Sequence, residues 1–544
     1  QRPGIFTVEL GLQRFDQTYL YNHFTNGKID GGRIEYVHIF SVVAVFILLI
    51  ACINFMNLTT ARSVSRAREI GVRKVIGALR PALIKQFIGE AMLLTTLAVV
   101  IALILLTLLL PAFNHITAKQ IALPFGQLSF WLRLVLITLV TGLVAGSYPA
   151  LFLSSFNPAK VLKGSTKLGQ GALLFRKGLV VFQFVLSVVL IISTLIVSRQ
   201  VSYIQSKDLG YDRENLIYLP MNDEMATKFD IFKTEALNMP GVKSVSRISQ
   251  NPTVIDNSTG GISWTGKDPD QDIEFTQISA GYDFIATMRL RLLQGREFSR
   301  NFATDTAGYL VNEAALKKIG YKNPAGQMLT MWGKTGPILG VIRDFHYNSV
   351  HEQIRPLIVR FANKRQTGSA LIRTGAGQSR QALAAMETLW KKLNPDFPFN
   401  YTFSDDEYRQ LYQNEQVISR LANIFAILAI FISCLGLLGL AMFTAEQRLK
   451  EIGIRKVLGA SVVSIFALLS GEFLWLVLLA LLIASPIAWY SMTRWLENYA
   501  YHTDIQWWIF ALSAVLALLI TLLTVSFHSV KVALSSPVKS LKAE

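Results

Sequence analysis

Long apolar runs separated by short polar stretches fill both ends of the chain, with one long polar segment between them. A helix needs about 20 mostly apolar residues to cross a bilayer core. Seven such runs occur, at roughly 37–60, 87–112, 131–154, 178–199, 418–443, 464–490 and 507–530. Seven buried helices of this length do not fit one soluble core, so the pattern predicts a multispanning α-helical membrane protein. The polar segment reads differently. Alternation over Asn215–Pro220 and Pro337–Ile342 predicts strands, and Arg380–Leu393 has helical periodicity, which together predict an α+β domain at 203–415.

Composition agrees. Of 544 residues, 51% are hydrophobic and 16% charged, against about 25% charged in soluble domains. The formal charge of +17 would suit a nucleic-acid binder, but its placement does not. Residues 201–415 hold 25 Lys/Arg against 24 Asp/Glu, and 1–36 hold four of each. The most apolar stretches, 37–200 and 416–544, hold 24 against 8. Excess Lys and Arg between spans is the signature of cytoplasmic loops, and a polar basic face for nucleic acid is excluded. The cations cluster at 62–85, at 155–177 (Lys160, Lys163, Lys167, Arg176, Lys177), at 448–456 and in the tail (Lys531, Lys539, Lys542). If the spans alternate, all four clusters lie on one side, read as cytoplasmic, and the 203–415 domain lies outside. Cys52 and Cys434 both sit in apolar runs, so the outer domain has no disulfide framework.

The chain is internally duplicated. Residues 69–78 read EIGVRKVIGA and residues 451–460 read EIGIRKVLGA, identical at eight of ten positions at an offset of 382. The same offset relates Cys52 to Cys434 and Gly89-Glu90 to Gly471-Glu472. Near the ends, Ser147 and Pro158–Lys163 correspond to Ser526 and Pro537–Lys542 at an offset of 379. Two three-span units follow, at 37–163 and 416–542. An even number of spans separates matched positions, so both copies share one orientation, as in parallel repeats. Residues 164–202 form a linker and span four, leading into the outer domain. By symmetry the first copy would also follow a span and an outer domain. Leu20-Tyr21 resembles Leu411-Tyr412, so 1–36 read as the end of a first outer domain. The intact protein is expected to have eight spans, with its N-terminal part missing here.

The repeated segment is a basic amphipathic helix. In 61–80, Val64, Ala67, Gly71, Val75 and Leu79 share one side, and Arg62, Arg66, Arg73 and Lys74 surround the rest. Gly77 and Gly459 sit where a left-handed cap would end it. Gly71 and Gly453 fall mid-helix, where glycine costs roughly 1 kcal/mol, and their repetition suggests close approach by another backbone. Anchoring to anionic lipid is one reading. Repetition of Glu69, Arg73 and Lys74 as Glu451, Arg455 and Lys456 favours a protein partner with two similar docking surfaces. The matched acids Glu90 and Glu472 lie in spans two and six and are candidates as intramembrane acids, with pairing to the basic helix as the expected role.

The stretches INFMNLTTARSVSRAREIGVRKVIGA (53–78) and GLLGLAMFTAEQRLKEIGIRKVLGA (436–460) resemble the FtsX-like permease domain of MacB-type ABC transporters, in the fused form with two such domains. LGYDREN (209–215) and GVIRDFHYNSVHEQIRPL (340–357) are similar to that family's periplasmic MacB-like core domain. The resemblance implies a permease with no catalytic residues or cofactor of its own, in a bacterial inner membrane. ATP and Mg would be bound by a partner ABC ATPase, present as two copies. The helices carrying Glu69–Ala78 and Glu451–Ala460 would dock into that dimer and pass its motion to the periplasmic side, a mode called mechanotransmission. A periplasmic or outer-membrane partner and a role in export, lipoprotein or peptide handling, or efflux are further implications. The alternative is a membrane-anchored envelope sensor or scaffold.

Other chemistry finds little support. GISWTGKD (261–268) has phosphate-loop spacing but ends in Asp268 and is followed by Pro269, so no helix N-terminus receives phosphates. His346 and His351 with Asp344 do not have a recognised metal-ligand spacing. Asp405, Asp406 and Glu407 read as a solvated helix cap.

Overall fold

The computed structural model describes residues 11–25, 28–155, 170–268, 270–271, 273–363 and 366–534. The described residues divide into two compact units, one of Gly11–Arg199, Gln416–Trp495 and 504–534, the other of Gln200–Glu415 and Leu496–Thr503.

The first unit is helical. Its long helices are α1 (Ile34–Val75), α2 (Arg80–Thr117), α3 (Leu128–Ser154), α4 (Gln170–Ser206), α5 (Gln413–Gln447), the short α6 (Leu449–Val457), α7 (Val462–Leu496) and α8 (Trp507–Leu534). Seven of them contain a stretch long and apolar enough to cross a membrane, matching the seven runs in the sequence. At 38 residues α2 reaches about 57 Å, well beyond a bilayer core of about 30 Å. None of its most apolar window is buried within the chain, so it offers Leu93, Leu97, Ile101, Leu105 and Leu108 to lipid. By contrast, 78% of the window of α4 is buried, which makes span four the inner helix of this unit.

Close packing depends on small residues, because lipid supplies no hydrophobic drive for helices to associate. Gly142 and Gly146 line α3 where it meets α2, and a Cβ at Gly146 would lie 2.7 Å from the Ala91 Cβ. Helices α1 and α5 meet at positions that are equivalents in the repeat. A Cβ at Gly436 would lie 2.9 Å from Asn54 Oδ1, and Asn54 plus the offset of 382 is Gly436 itself. Ile50 and its equivalent Ile432 belong to one apolar cluster, as do Ile47 and Ala429, with Leu186 and Leu190 of α4 completing it. Contact between equivalent positions is the geometry of a two-fold axis running between α1 and α5. Ser187 and Ser433 share a buried hydrogen bond of 2.8 Å that ties α4 to α5.

The second unit is the α+β domain, built on a mixed sheet with two lobes. In one, strands Thr402–Phe403, Leu216–Met221, Gly368–Thr374 and Val242–Ile248 pair in that order. They pack on helices Phe229–Leu237 and Ser379–Leu393 through Phe232, Ala236, Met386 and Trp390. In the other, strands Phe275–Ala280, Leu357–Phe361, Tyr309–Asn312, Lys334–Ile342, Met328–Met331 and Ile262–Trp264 follow in order around Ile262, Phe275, Val311 and Ile338. The lobes join through a single bridge, Ile248 to Ala280. Both alternating stretches lie on strands and Arg380–Leu393 lies on a helix, as the pattern predicts.

One segment of this unit is distant in sequence. Residues Leu496–Thr503, which begin at the last residue of α7, fold into it. Gln200 donates to the Tyr501 carbonyl at 3.0 Å, and the His346 and Tyr501 rings meet edge to face at 4.8 Å. His351 pairs instead with Glu415 at 3.2 Å and stacks on Tyr499, while Asp344 accepts from the Ala314 amide. Among the described residues, no three His, Cys, Asp or Glu side chains gather as metal ligands. Burial and the nearby Lys207 push His346 down to about 4, with Asp208 opposing them.

An unfolded histidine takes up its proton near pH 6.5, whereas the folded one resists until about 4. His346 therefore favours the folded state at neutral pH, and that advantage is lost as pH falls from about 6.5 to 4, by roughly 3 kcal/mol in all. Acid unfolding of the full chain followed by tryptophan fluorescence should show this slope in the wild type and a flatter one in His346→Gln.

Candidate functional site: the duplicated elbow

Each repeat turns sharply after the motif, and the two turns are built alike. In the first, the Ala78 amide donates to the Arg73 carbonyl at 2.9 Å and the Gly77 amide to the Lys74 carbonyl at 3.1 Å. In the second, Ala460 donates to Arg455 at 2.9 Å and Gly459 to Lys456 at 3.1 Å. This is the Schellman pattern, and it requires a left-handed residue after the helix. Gly77 and Gly459 supply it, with φ of 103° and 89°.

Each elbow is pinned from below by three apolar residues. Ile70, Leu83 and Phe87 pack together in the first copy, joined by Ala150 and Leu153 of α3. Their equivalents Ile452, Ile465 and Leu469 pack together in the second, with Ala445. Gly71 and Gly453, next to the pinning isoleucines, are buried.

This corrects the face read from periodicity. Val75 and Leu79, placed on the packed side with Gly71, are exposed, and Ile70 is the residue that turns inward. The turn at Gly77 ends the helical repeat before Leu79, and α1 is anchored through the following helix, one position away from the assumed stripe. Val64 and Ala67 lie in α1, but their side chains are outside the described residues.

The outward face is therefore apolar. Val72, Val75 and Ile76 are exposed in the first copy, and so are their equivalents Ile454, Val457 and Leu458 in the second. Ile76 and Leu458 are 81% and 80% exposed. Each ridge is flanked by a matched ion pair, Arg73–Glu69 at 2.6 Å and Arg455–Glu451 at 2.8 Å. Exposed i,i+4 pairs add only about 0.3–0.5 kcal/mol, so their main effect is to hold the guanidinium beside the ridge.

Each elbow is also braced from behind. In the first, α1 continues unbroken for 42 residues from the span into the elbow. Lys74 turns inward and donates to the Ser154 carbonyl at the end of α3, at 2.6 Å. Burial and the neighbouring Arg80 lower its pKa. Arg73 also donates to Gln86, which in turn reaches Glu90 at 3.5 Å. In the second, the helix breaks at Arg448 (φ −98°, ψ 8°), whose guanidinium lies 3.2 Å from Glu472. Lys177 at the start of α4 meets the same carboxylate at 2.7 Å. Glu472 thus joins α4, α7 and the approach to α6 at one end of the bundle. Lys456 is half-buried. The basic residues Lys160, Lys163, Lys167, Lys539 and Lys542, and the Pro158 and Pro537 repeat, lie outside the described residues.

The remaining motifs take structural roles. Lys267 folds back to donate to the Ile262 carbonyl at 2.8 Å and sits over the Trp264 ring, and the described residues that follow run to strand Phe275–Ala280 with no helix. Pro269 lies outside the described residues. Asp405, Asp406 and Glu407 open the short helix Ser404–Leu411, where Asp405 pairs with Arg213 at 3.1 Å and Glu407 accepts from Asn251 at 2.9 Å.

Two helical segments of this architecture match a known family. Residues 41–158 and 423–537 match the FtsX-like permease C-terminal family. The macrolide export ATP-binding/permease protein MacB of Campylobacter jejuni subsp. jejuni (strain 81-176) is 32% identical over 120 residues, which cover 22% of this chain and 18% of that protein. The MacB of Sodalis glossinidius is 25% identical over 197 residues, 34% of this chain and 30% of that protein. The chain thus spans a third or less of the length of these relatives. Among solved structures, the periplasmic region of MacB from Actinobacillus actinomycetemcomitans aligns with 38% of this chain and 97% of its own, at 16% identity and a TM-score of 0.28. Two segments of the chain are thus similar to the FtsX-like permease C-terminal domain, and the relatives they match are MacB proteins.

Backbone strain locates the elbow's weak point. Gly77→Ala places a side chain at a left-handed φ and should cost about 1–2 kcal/mol, although space is open around it. Gly89→Ala and Gly471→Ala, also in open space but within helices, should be neutral or stabilising by up to about 1 kcal/mol. Thermal unfolding of the purified variants in detergent measures the difference. Equal melting temperatures would show that the cap geometry is dispensable.

Proposed function

We propose that this chain is the permease subunit of an ABC transporter whose ATPase is a separate polypeptide, and that the two elbows are where the ATPase docks. The observation that carries the proposal is the pair of matched exposed ridges, Val72-Val75-Ile76 and Ile454-Val457-Leu458. Apolar residues so exposed at the polar end of a membrane helix are ordinarily selected against, and a contiguous patch marks a partner surface. Two ridges with the same cap and the same flanking ion pair suit a partner that presents the same surface twice, as a two-fold ATPase dimer does.

On this reading the elbows face the cytoplasm of a bacterial inner membrane and the α+β domain is periplasmic. Closure of the nucleotide-loaded dimer pushes the ridges. The pinning clusters at Ile70 and Ile452 pass that force into α2 and α7, and the unbroken α1 carries it along its length. Transport or mechanical work on an envelope substrate follows from that motion. Named relatives are macrolide exporters, which makes efflux of an apolar compound one candidate cargo class, alongside lipoproteins and peptides. Nucleotide and Mg belong to the partner in this reading.

The test is co-purification. Affinity capture of the full chain from the native membrane should bring down an ABC ATPase, identified by mass spectrometry. Ile76→Asp combined with Leu458→Asp should abolish capture and ATPase stimulation, with thermal stability unchanged because both side chains are exposed. Retention of the ATPase by the double variant, or capture of none by the wild type, would overturn the docking assignment.

A further inference from the structure

The α+β domain contains a cleft that the coupling reading does not use. It encloses about 390 Å³, within the range of small-ligand sites. It opens beside the one-bridge junction between the lobes, where the Gly281 amide donates to the Arg247 carbonyl and the Ala362 amide to the Ala280 carbonyl, both at 2.9 Å. A Cβ at Gly281 would lie 3.0 Å from Arg247 Cγ, so a larger residue there would crowd the Arg247 side chain.

The lining is strongly cationic. Lys233, Arg247, Arg300, Lys334 and Arg360 all face the cleft, and Asp230 is the one acid among its lining residues. Lys233 and Arg247 are almost fully buried, a costly state for cations unless something compensates them. Lys233 is compensated by Asp283 at 2.5 Å, outside the lining, Arg247 donates to the Ala362 carbonyl at 2.9 Å, and Arg300 lies 4.0 Å from Asp230. Among the described residues, neither Lys334 nor Arg360 has an ion-pair partner. The cations are also braced on rings: Arg247 over Phe229, Arg300 over Tyr282 and Arg360 over Trp332, each about 5 Å from the centroid. Tyr282 and Phe361, 4.7 Å apart, supply an apolar wall.

We infer that this cleft binds a small amphiphilic anion, with an oxyanion head held by Arg360, Lys334 and Arg247 and an apolar, ring-sized body against Tyr282 and Phe361. The arrangement places positive charge and aromatic surface from both lobes on one volume, so a bound anion bridges the junction. The site stands whether or not the elbows bind an ATPase.

The probe is 1-naphthyl phosphate, titrated by calorimetry into the full chain in lipid nanodiscs, with empty discs subtracted. Saturable binding is expected, weakening as NaCl rises from 50 to 500 mM through screening. Arg360→Gln with Lys334→Gln should weaken it at least tenfold, with an unchanged melting temperature. Inorganic phosphate and 1-naphthol should each bind at least tenfold more weakly, because each lacks half of the ligand. No saturable binding, undiminished binding by the double variant, or equal binding of 1-naphthol or of inorganic phosphate would each overturn the assignment.

Discussion

The membrane unit is organised by the contact of α1 with α5 at equivalent positions of a duplicated sequence. A helix can meet its own repeat in this way only along a symmetry axis, and at that axis both helices must present surfaces that fit each other. The chain solves this asymmetrically. Asn54 and Leu58 on α1 face Gly436 and Gly439 on α5, so the bulk on one side is matched by its absence on the other. Close approach then supplies the dispersion contacts that hold helices together in lipid. Span four packs across this seam through Leu186, Leu190 and Ser187, which is why it is the most buried of the membrane helices.

The same seam contains unusual polar groups. Asn54 Oδ1, both amide atoms of Asn57 and Gln183 Nε2 are buried without a hydrogen-bond partner among the described residues. Unmade hydrogen bonds cost free energy wherever they are buried, and at this seam α1 contributes them through Asn54 and Asn57 and α4 through Gln183. A shift of one helix past another at Asn57 would break packing but no hydrogen bond of that side chain. A joint with few directional bonds is suited to movement, whereas the elbows, with their bonded caps and pinned isoleucines, are suited to rigidity.

Much of this architecture was legible in the sequence because membranes impose simple rules. Run length gave seven spans, and alternation placed strands at Leu216–Met221 and Lys334–Ile342. The motif glycines at 77 and 459 announced left-handed caps, since few other residues tolerate that backbone. What could not be read involved contacts remote in the chain. The loop Leu496–Thr503 joins the α+β unit through His346, Gln200 and Lys207, none of which flags it locally. The packed face of the elbow was misassigned because periodicity assumes that a helix buries one stripe along its whole length. Here burial is set by the next helix, which meets the elbow at Ile70 and Ile452. Lys74 shows the same limit: it has the composition of a surface cation, yet its partner is a carbonyl eighty residues away. The Gly142-x-x-x-Gly146 spacing, by contrast, is itself a sequence signal for close helix packing in lipid.

Duplication followed by divergence explains why the elbows agree where they do. The shared elements are the cap, the pinning trio, the exposed ridge and the flanking ion pair, which together define the outward surface and the stiffness behind it. Behind that surface the copies differ at one contact of the brace, where Arg73 donates to Gln86 in the first copy. Position 86 is glutamine and its equivalent 468 is leucine, so that contact could not be copied into the second. If selection had acted only on anchoring to lipid, the ridge would have been as free to drift as the brace, since many apolar and basic combinations bind a headgroup layer. A surface held alike in both copies, over a support that has changed at Gln86 and Leu468, fits a partner that meets each elbow in the same way.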